Sequence, residues 1–317
     1  MLTSLIKKLP YPIAGLMLSL AALGNLVGGY GMHYRYALGA IAAILFFLLL
    51  AKVLIQPASL REAIAQPVVC SVLPTFSMGT AILAGYLRPW APGPAQLLWL
   101  AALVVHIALI AIFTVKYVLV FKVRQVFPSW FIVYVGLATF SVTAPAFGQL
   151  MIGQALFWAA FASYLLLLPV VAYRCAIVKE VPPPALPTLA IFTAPSSLAL
   201  AGYLNSFPER NLVVVSLLLG CTVLSFLFVV SRLPALLRIP FFPSYSAFTF
   251  PFVITAIALK GTATYLSNTG RGIGLLTQSI PLLELWATVA VLYVLFRYLR
   301  FLLAASPVPA PQPQVAK

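Results

Sequence analysis

Few side chains in this sequence can do chemistry. The acidic residues are four Glu, there is no Asp, and there are only two His and three Cys. Cys70, Cys175 and Cys221 lie far apart and form neither a CxxC pair nor a Cys/His cluster. They read as small apolar residues rather than metal ligands or disulfide partners. No nucleophile–base–acid constellation, metal motif or Walker sequence occurs, so neither an enzyme nor a metal or cofactor site is expected. The segment GRGIG (Gly270 to Gly274) superficially resembles a phosphate-binding glycine loop. It follows a long apolar run instead of a strand, so it reads as a flexible turn.

Three ionisable residues stand inside apolar runs: His106, Lys260 and Glu284. Such residues are expensive in a bilayer and mark transport pathways or polar inter-helix contacts. A proton-coupled carrier would use them. His106 reads best as an inter-helix contact. Glu284, near one end of its run, is expected to pair with a basic residue or to be solvated. Lys260 could concentrate anions at the mouth of a pathway or snorkel to lipid phosphate.

The elements that hold these residues follow from composition. Of 317 residues, 63% are hydrophobic and 7% charged, and the mean hydropathy is +1.09. A soluble domain carries about 25% charged residues. A soluble fold and a disordered chain are both excluded, and a polytopic membrane protein is implied. Breaking the chain at charged, Pro-rich and Gly-rich stretches gives ten spans of membrane-crossing length: 11–31, 36–55, 66–87, 96–121, 129–148, 150–175, 186–205, 211–236, 244–266 and 277–302. Lys7 and Lys8 precede the first span as in a signal peptide, but the run is long and no small-x-small site ends it, so a retained helix is expected. One transmembrane domain over 1–304 is followed by a Pro-rich stretch, 305–317, expected to be a disordered tail.

Ten spans put both termini on one side. The loops and helix ends of that side carry 14 of the Lys and Arg residues, and the other side carries 5. The positive-inside rule therefore places both termini in the cytoplasm, with the protein in the cell membrane. The net charge of +15 reports topology and no nucleic-acid partner.

Odd and even spans differ. Pro74, Pro145, Pro195 and Pro251 fall inside spans three, five, seven and nine. An interior proline removes a backbone hydrogen bond and kinks a helix, which in lipid favours a protein-packed or water-lined position. Hydroxyls follow the same division, and Thr75, Thr143, Ser196 and Ser246 are candidates to line a pathway together with Lys260. Two segments echo each other, LPTFSMGTAILAGYL (Leu73 to Leu87) and APSSLALAGYL (Ala194 to Leu204). The pattern predicts kinked odd helices gathered inside and even helices facing lipid. The odd spans carry no acidic residue, so nothing in them would repel an anion.

In the ninth span, SAFTFPFVITAIALKG (Ser246 to Gly261) resembles the ninth helix of the tellurite-resistance/dicarboxylate transporter (TDT) family. That family includes TehA-type bacterial channels, plant guard-cell slow anion channels, and fungal malate and sulfite permeases. LPYPIAGLMLSLAALG (Leu9 to Gly24) is similar to the family's first helix, PSWFIVYVGLATFSVTAP (Pro128 to Pro145) to its fifth, and FTAPSSLALAGYL (Phe192 to Leu204) to its seventh. The resemblance implies an all-α fold of five helical hairpins in a pseudo-fivefold arrangement around a central pore, and a homotrimer with one pore per subunit. It also implies that an aromatic side chain of the ninth helix closes the pore. The matching residue is Phe250, with Phe248 where an aromatic is usual. The function implied is a channel for small anions such as chloride or nitrate. The alternative is a secondary transporter of four-carbon dicarboxylates, tellurite or sulfite. A membrane-embedded enzyme or structural subunit is the remaining class, disfavoured by the lack of convergent His, Asp or Cys.

Overall fold

In the computed structural model, residues 2–304 are described, and the tail 305–317 lies outside them. Ten helical spans among them are long and apolar enough to cross a membrane. We label them α1 (Ile13–Tyr30), α2 (Met32–Ile55), α3 (Pro67–Leu87), α4 (Pro92–Val118), α5 (Trp130–Phe147), α6 (Leu150–Val178), α7 (Pro183–Ser206), α8 (Leu212–Leu236), α9 (Pro243–Asn268) and α10 (Gly274–Leu303). The expected spans agree with these to within a few residues. Two short helices were not expected from the pattern: Leu2–Lys8, and Pro57–Ala65 between α2 and α3.

The odd helices form the interior. In their most apolar stretches 67% to 83% of residues are buried, against 22% to 28% in the even helices. Both sets are apolar, so the difference is what surrounds them. Odd helices meet protein on most of their surface, and even helices present Phe47, Trp158, Leu224 and Leu285 outward. Each odd helix packs on the even helix that follows it, and the odd helices also contact one another in a closed ring, α1–α3–α5–α7–α9–α1. Small residues permit the close approaches in this ring. A Cβ on Gly79 of α3 would lie 2.4 Å from Met17 Cε and 3.2 Å from Leu18 Cα of α1. In lipid, where apolar side chains gain nothing by leaving water, such backbone proximity is a principal source of helix association.

Four of the odd spans are broken rather than continuous α-helices. In α3 the break is at Leu73, before the segment Pro74–Leu87. In α7 a 3-10 stretch, Pro183–Thr193, precedes the α-helical Ala194–Ser206. In α9 a 3-10 turn, Pro243–Phe248, leads through Thr249, which has φ −109° and ψ −80°, into the α-helical Phe250–Asn268. Pro74, Pro195 and Pro251 thus stand in the first turn of a new α-helical segment. There the missing N–H costs nothing and the fixed φ suits the helix.

Pro145 departs from the expected pattern. It lies in the 3-10 turn Ala144–Phe147 that ends α5, and the break in that helix falls at Gly136 instead. A Cβ at Gly136 would stand 2.8 Å from the His106 ring and 2.9 Å from Met78 Sδ. There is no room for a side chain at that break.

Candidate functional site

The ring of odd helices encloses two cavities, one above the other. The proximal cavity, on the side of the chain termini, is small, about 50 Å³. The distal cavity is about 680 Å³. Every lining residue of both comes from an odd helix or a loop beside one, and none from an even helix. Among the described residues, Leu198 of α7 and Phe250 of α9 alone line both. They stand where the two spaces adjoin, and both are buried. Leu18, Met78 and Val135 approach this level from the proximal side, and Ala22, Ile82 and Ile254 from the distal side. The partition is therefore apolar, of the kind that stops ions by excluding water.

The backbone beneath Phe250 is held on two sides. On the α1 side, Thr249 Oγ1 donates to Ser246 O at 2.5 Å, and Ser19 Oγ lies 2.6 Å from Thr249 Oγ1 and 2.6 Å from Gly15 O. On the α7 side, Thr255 Oγ1 donates to Pro251 O at 2.8 Å and lies 2.9 Å from Thr193 Oγ1 and 2.8 Å from Ser197 Oγ. All these hydroxyls are buried. A buried hydroxyl that is paired rigidifies its surroundings, and one left unpaired is costly. These bonds tie the chain at positions 249–255 to α1 and α7.

The walls of the proximal cavity include the first turns of three α-helical segments, at Thr75, at Ala194 and Pro195, and at Phe250 and Pro251. Each segment carries the positive end of its dipole there, an effect that falls off within about one turn. No ionised side chain lines this cavity. Thr75 and Ser246 line it. The Thr75 hydroxyl is committed to Val72 O, at 2.6 Å.

The distal cavity is polar at its rim. Asn25, Asn205, Thr264 and Asn268 line it, with Lys260 and Arg210 as its two cations. Lys260 is not a free charge. Its Nζ lies 2.7 Å from Glu284 Oε1 of α10, and Glu284 Oε2 accepts from the Tyr30 hydroxyl at 2.6 Å. The Glu284 side chain is 5% exposed and that of Lys260 is 42%. Two residues considered separately in the sequence are one neutral pair at the cavity wall. Arg210 contacts no carboxylate among the described residues. Its Nε donates to Leu204 O at 2.9 Å and its guanidinium lies 5.6 Å from the Tyr265 ring centre.

Two further candidates sit differently from expectation. Ser196 lines neither cavity, because its hydroxyl lies 3.0 Å from Ser225 of α8. It ties an inner helix to an outer one. Thr143 lines the distal cavity, but its hydroxyl accepts from Trp99 Nε1 at 2.8 Å. His106 is buried away from both cavities. Its Nδ1 lies 2.9 Å from Ser77 Oγ and its Nε2 3.2 Å from Val133 O, so it bridges α3, α4 and α5. Among the described residues, no group of three or more His, Cys, Asp or Glu could hold a metal ion.

Sequence reasoning missed Leu198, the clamp residues Ser19, Thr249 and Thr255, and Arg210. Leu198 carries no signal among so many Leu. The clamp hydroxyls were visible only as a polar tendency of the odd helices. Arg210 was assigned to a loop, with nothing to show that the loop overhangs a cavity.

The geometry agrees with what the chain is similar to. The family model for voltage-dependent anion channels (SLAC1) matches residues 9–299. That match takes in every membrane helix but the last few residues of α10, and the chain belongs to this family of membrane anion channels and transporters. No curated protein matches the sequence.

Proposed function

We propose that the chain is an anion channel whose path runs through the two cavities and is closed at rest by Phe250 against Leu198. The observation that carries this reading is that, among the described residues, Leu198 and Phe250 are shared by the linings of two cavities built by all five odd helices. Rotation of one aromatic side chain on a clamped backbone would join them. The proximal walls offer helix N-termini, and the distal rim offers Arg210 and amide groups. Together these give a mild positive field without a site of tight binding, as conduction requires. Chloride-like and nitrate-like anions suit a partition this narrow and apolar. A proton-coupled carrier would need a titratable group on the path. His106 lies off it and Glu284 is tied to Lys260, which favours the channel over a dicarboxylate, tellurite or sulfite carrier.

The charge asymmetry supports a proximal face in the cytoplasm. The pairing of each odd helix with the next even helix, together with the closed ring of odd helices, supports five hairpins in a pseudo-fivefold arrangement. The apolar outer faces of the even helices suit lipid and, in a homotrimer, neighbouring copies of the chain.

The test is Phe250→Ala in purified protein reconstituted into planar bilayers. Removing the ring joins the cavities, and macroscopic anion current rises by about tenfold or more, equivalent to removing a barrier of ~1.4 kcal/mol. Unchanged current from normally folded protein would refute Phe250 as the gate.

A further inference from the structure

One buried hydroxyl in the odd helices is not used by the fold. Ser71, Thr75, Ser77, Thr80, Ser197 and Thr262 each donate to a carbonyl three or four residues earlier. Thr139 of α5 is 2% exposed, and its Oγ1 has no hydrogen-bond partner. Leaving such a group unpaired costs about 1–3 kcal/mol, so an unpaired hydroxyl at a cavity wall needs an account.

Its position supplies one. Thr139 lines the distal cavity at the end that reaches the Phe250 and Leu198 partition. Across the distal side of that partition the neighbouring lining residues are Ala22, Ile82 and Ile254, which are apolar. The local backbone is arranged to place it there. The α5 break at Gly136 tightens the turn, with Thr139 N donating to Gly136 O at 2.9 Å. The Thr139 carbonyl is in turn taken by the Thr143 hydroxyl at 3.0 Å. The Thr143 hydroxyl, one turn further along α5, is thereby committed to structure, and the Ser141 hydroxyl lies 3.0 Å from Ser206 Oγ, while that of Thr139 stays free. Oγ1 itself is closed to water in the present rotamer, and threonine in a helix has a second accessible χ1 well, so a turn about χ1 is the step that would bring the hydroxyl to the cavity.

We propose that Thr139 is a coordinating residue for a partly dehydrated small monovalent anion, a halide or nitrate, immediately distal to the gate. The O–H donates to the anion as it leaves or meets the apolar partition. The site replaces part of the hydration shell that the partition strips, at the one point in that layer where a donor exists. The inference rests on the channel reading above and adds the group that sets which anions cross fastest.

The experiment uses the full chain in planar bilayers with Phe250→Ala as the conducting background. Single-channel chloride conductance and the nitrate-to-chloride permeability ratio are measured with Thr139 intact, Thr139→Val, Thr139→Ala and Thr139→Ser. Valine keeps the shape and removes the donor, alanine removes both, and serine keeps the donor. The expected result is a fall of about tenfold in chloride conductance for valine and alanine, the size of one lost hydrogen bond to a charged group. The permeability ratio changes with it, and serine stays within about twofold of the parent. Parent-like conductance and ratio in both valine and alanine variants would overturn the site while leaving the channel reading intact. No anion current in the Phe250→Ala background would overturn the channel reading, and this inference with it.

Discussion

At the scale of single residues, the site depends on what each hydroxyl bonds to. Thr249 interrupts α9 and joins it to α1, accepting from or lying beside Ser19 and donating to Ser246 O. Thr249→Val keeps the volume and deletes the hydroxyl. It removes the α1–α9 hydroxyl contact, while Ser19 keeps Gly15 O and Ser246 O keeps the Thr249 N–H, so the cost is that of one net hydrogen bond, about 1 kcal/mol. The expected outcome is a lower midpoint of thermal unfolding in detergent together with a larger resting anion leak, because Phe250 loses its fixed base. A midpoint and leak equal to those of the parent would count against the clamp. The polar bias of the odd helices was legible in the sequence, and Phe250 drew attention through its place in a recognisable segment. The direction each hydroxyl faces was not. Ser196 and Thr75 have the same chemistry and the same helical setting, yet one meets α8 and the other lines a cavity. Rotation about the helix axis by one residue decides this, and an apolar helix with no wet face gives no periodic signal to fix it.

At the scale of elements, the odd helices are held by close backbone contact and by breaks at similar levels. Gly79→Val places a branched side chain against the α1 backbone at Leu18, where a Cβ alone already stands at 3.2 Å from Cα. Met17 can swing aside, but the backbone must move. The expected loss is about 1–3 kcal/mol, typical of overpacking. Gly85→Ala is the control on the same helix. Nothing lies within 4 Å of its Cβ, and alanine is the better helix former by about 1 kcal/mol. Thermal unfolding should rank the three proteins with Gly85→Ala at or above the parent and Gly79→Val below it. Equal midpoints for all three would contradict the close α1–α3 approach. The spans themselves were readable because membrane thickness sets a length that composition must satisfy. The break in α5 was misread because proline was the only cue sought. The break falls at Gly136, a position where a side chain would meet Ile132 O, His106 and Met78.

At the scale of the whole molecule, few charges act over long distances. The distal cavity carries a free cation, Arg210, and a compensated one, Lys260. Glu284→Gln removes the compensation and raises the positive potential of the cavity. Arg210→Gln lowers it. At low ionic strength, anion conductance in the Phe250→Ala background should rise for the first and fall for the second. Both differences should shrink as the Debye length drops to about 3 Å in ~1 M salt. Salt-independent differences would point to altered structure instead of altered field. The net charge of the chain was plain from composition, and its division between the faces gave a topology. The pairing of Lys260 with Glu284 was out of reach, because it joins residues 24 positions apart on two helices whose relative rotation is set by packing. The central claim is that the two cavities form one anion path closed by one side chain. It is tested most directly by the reversal potential of Phe250→Ala currents across a steep KCl gradient. The account predicts a value close to the chloride equilibrium potential, with no comparable current in the parent. A value at the potassium equilibrium potential, or the same current in both proteins, would contradict it.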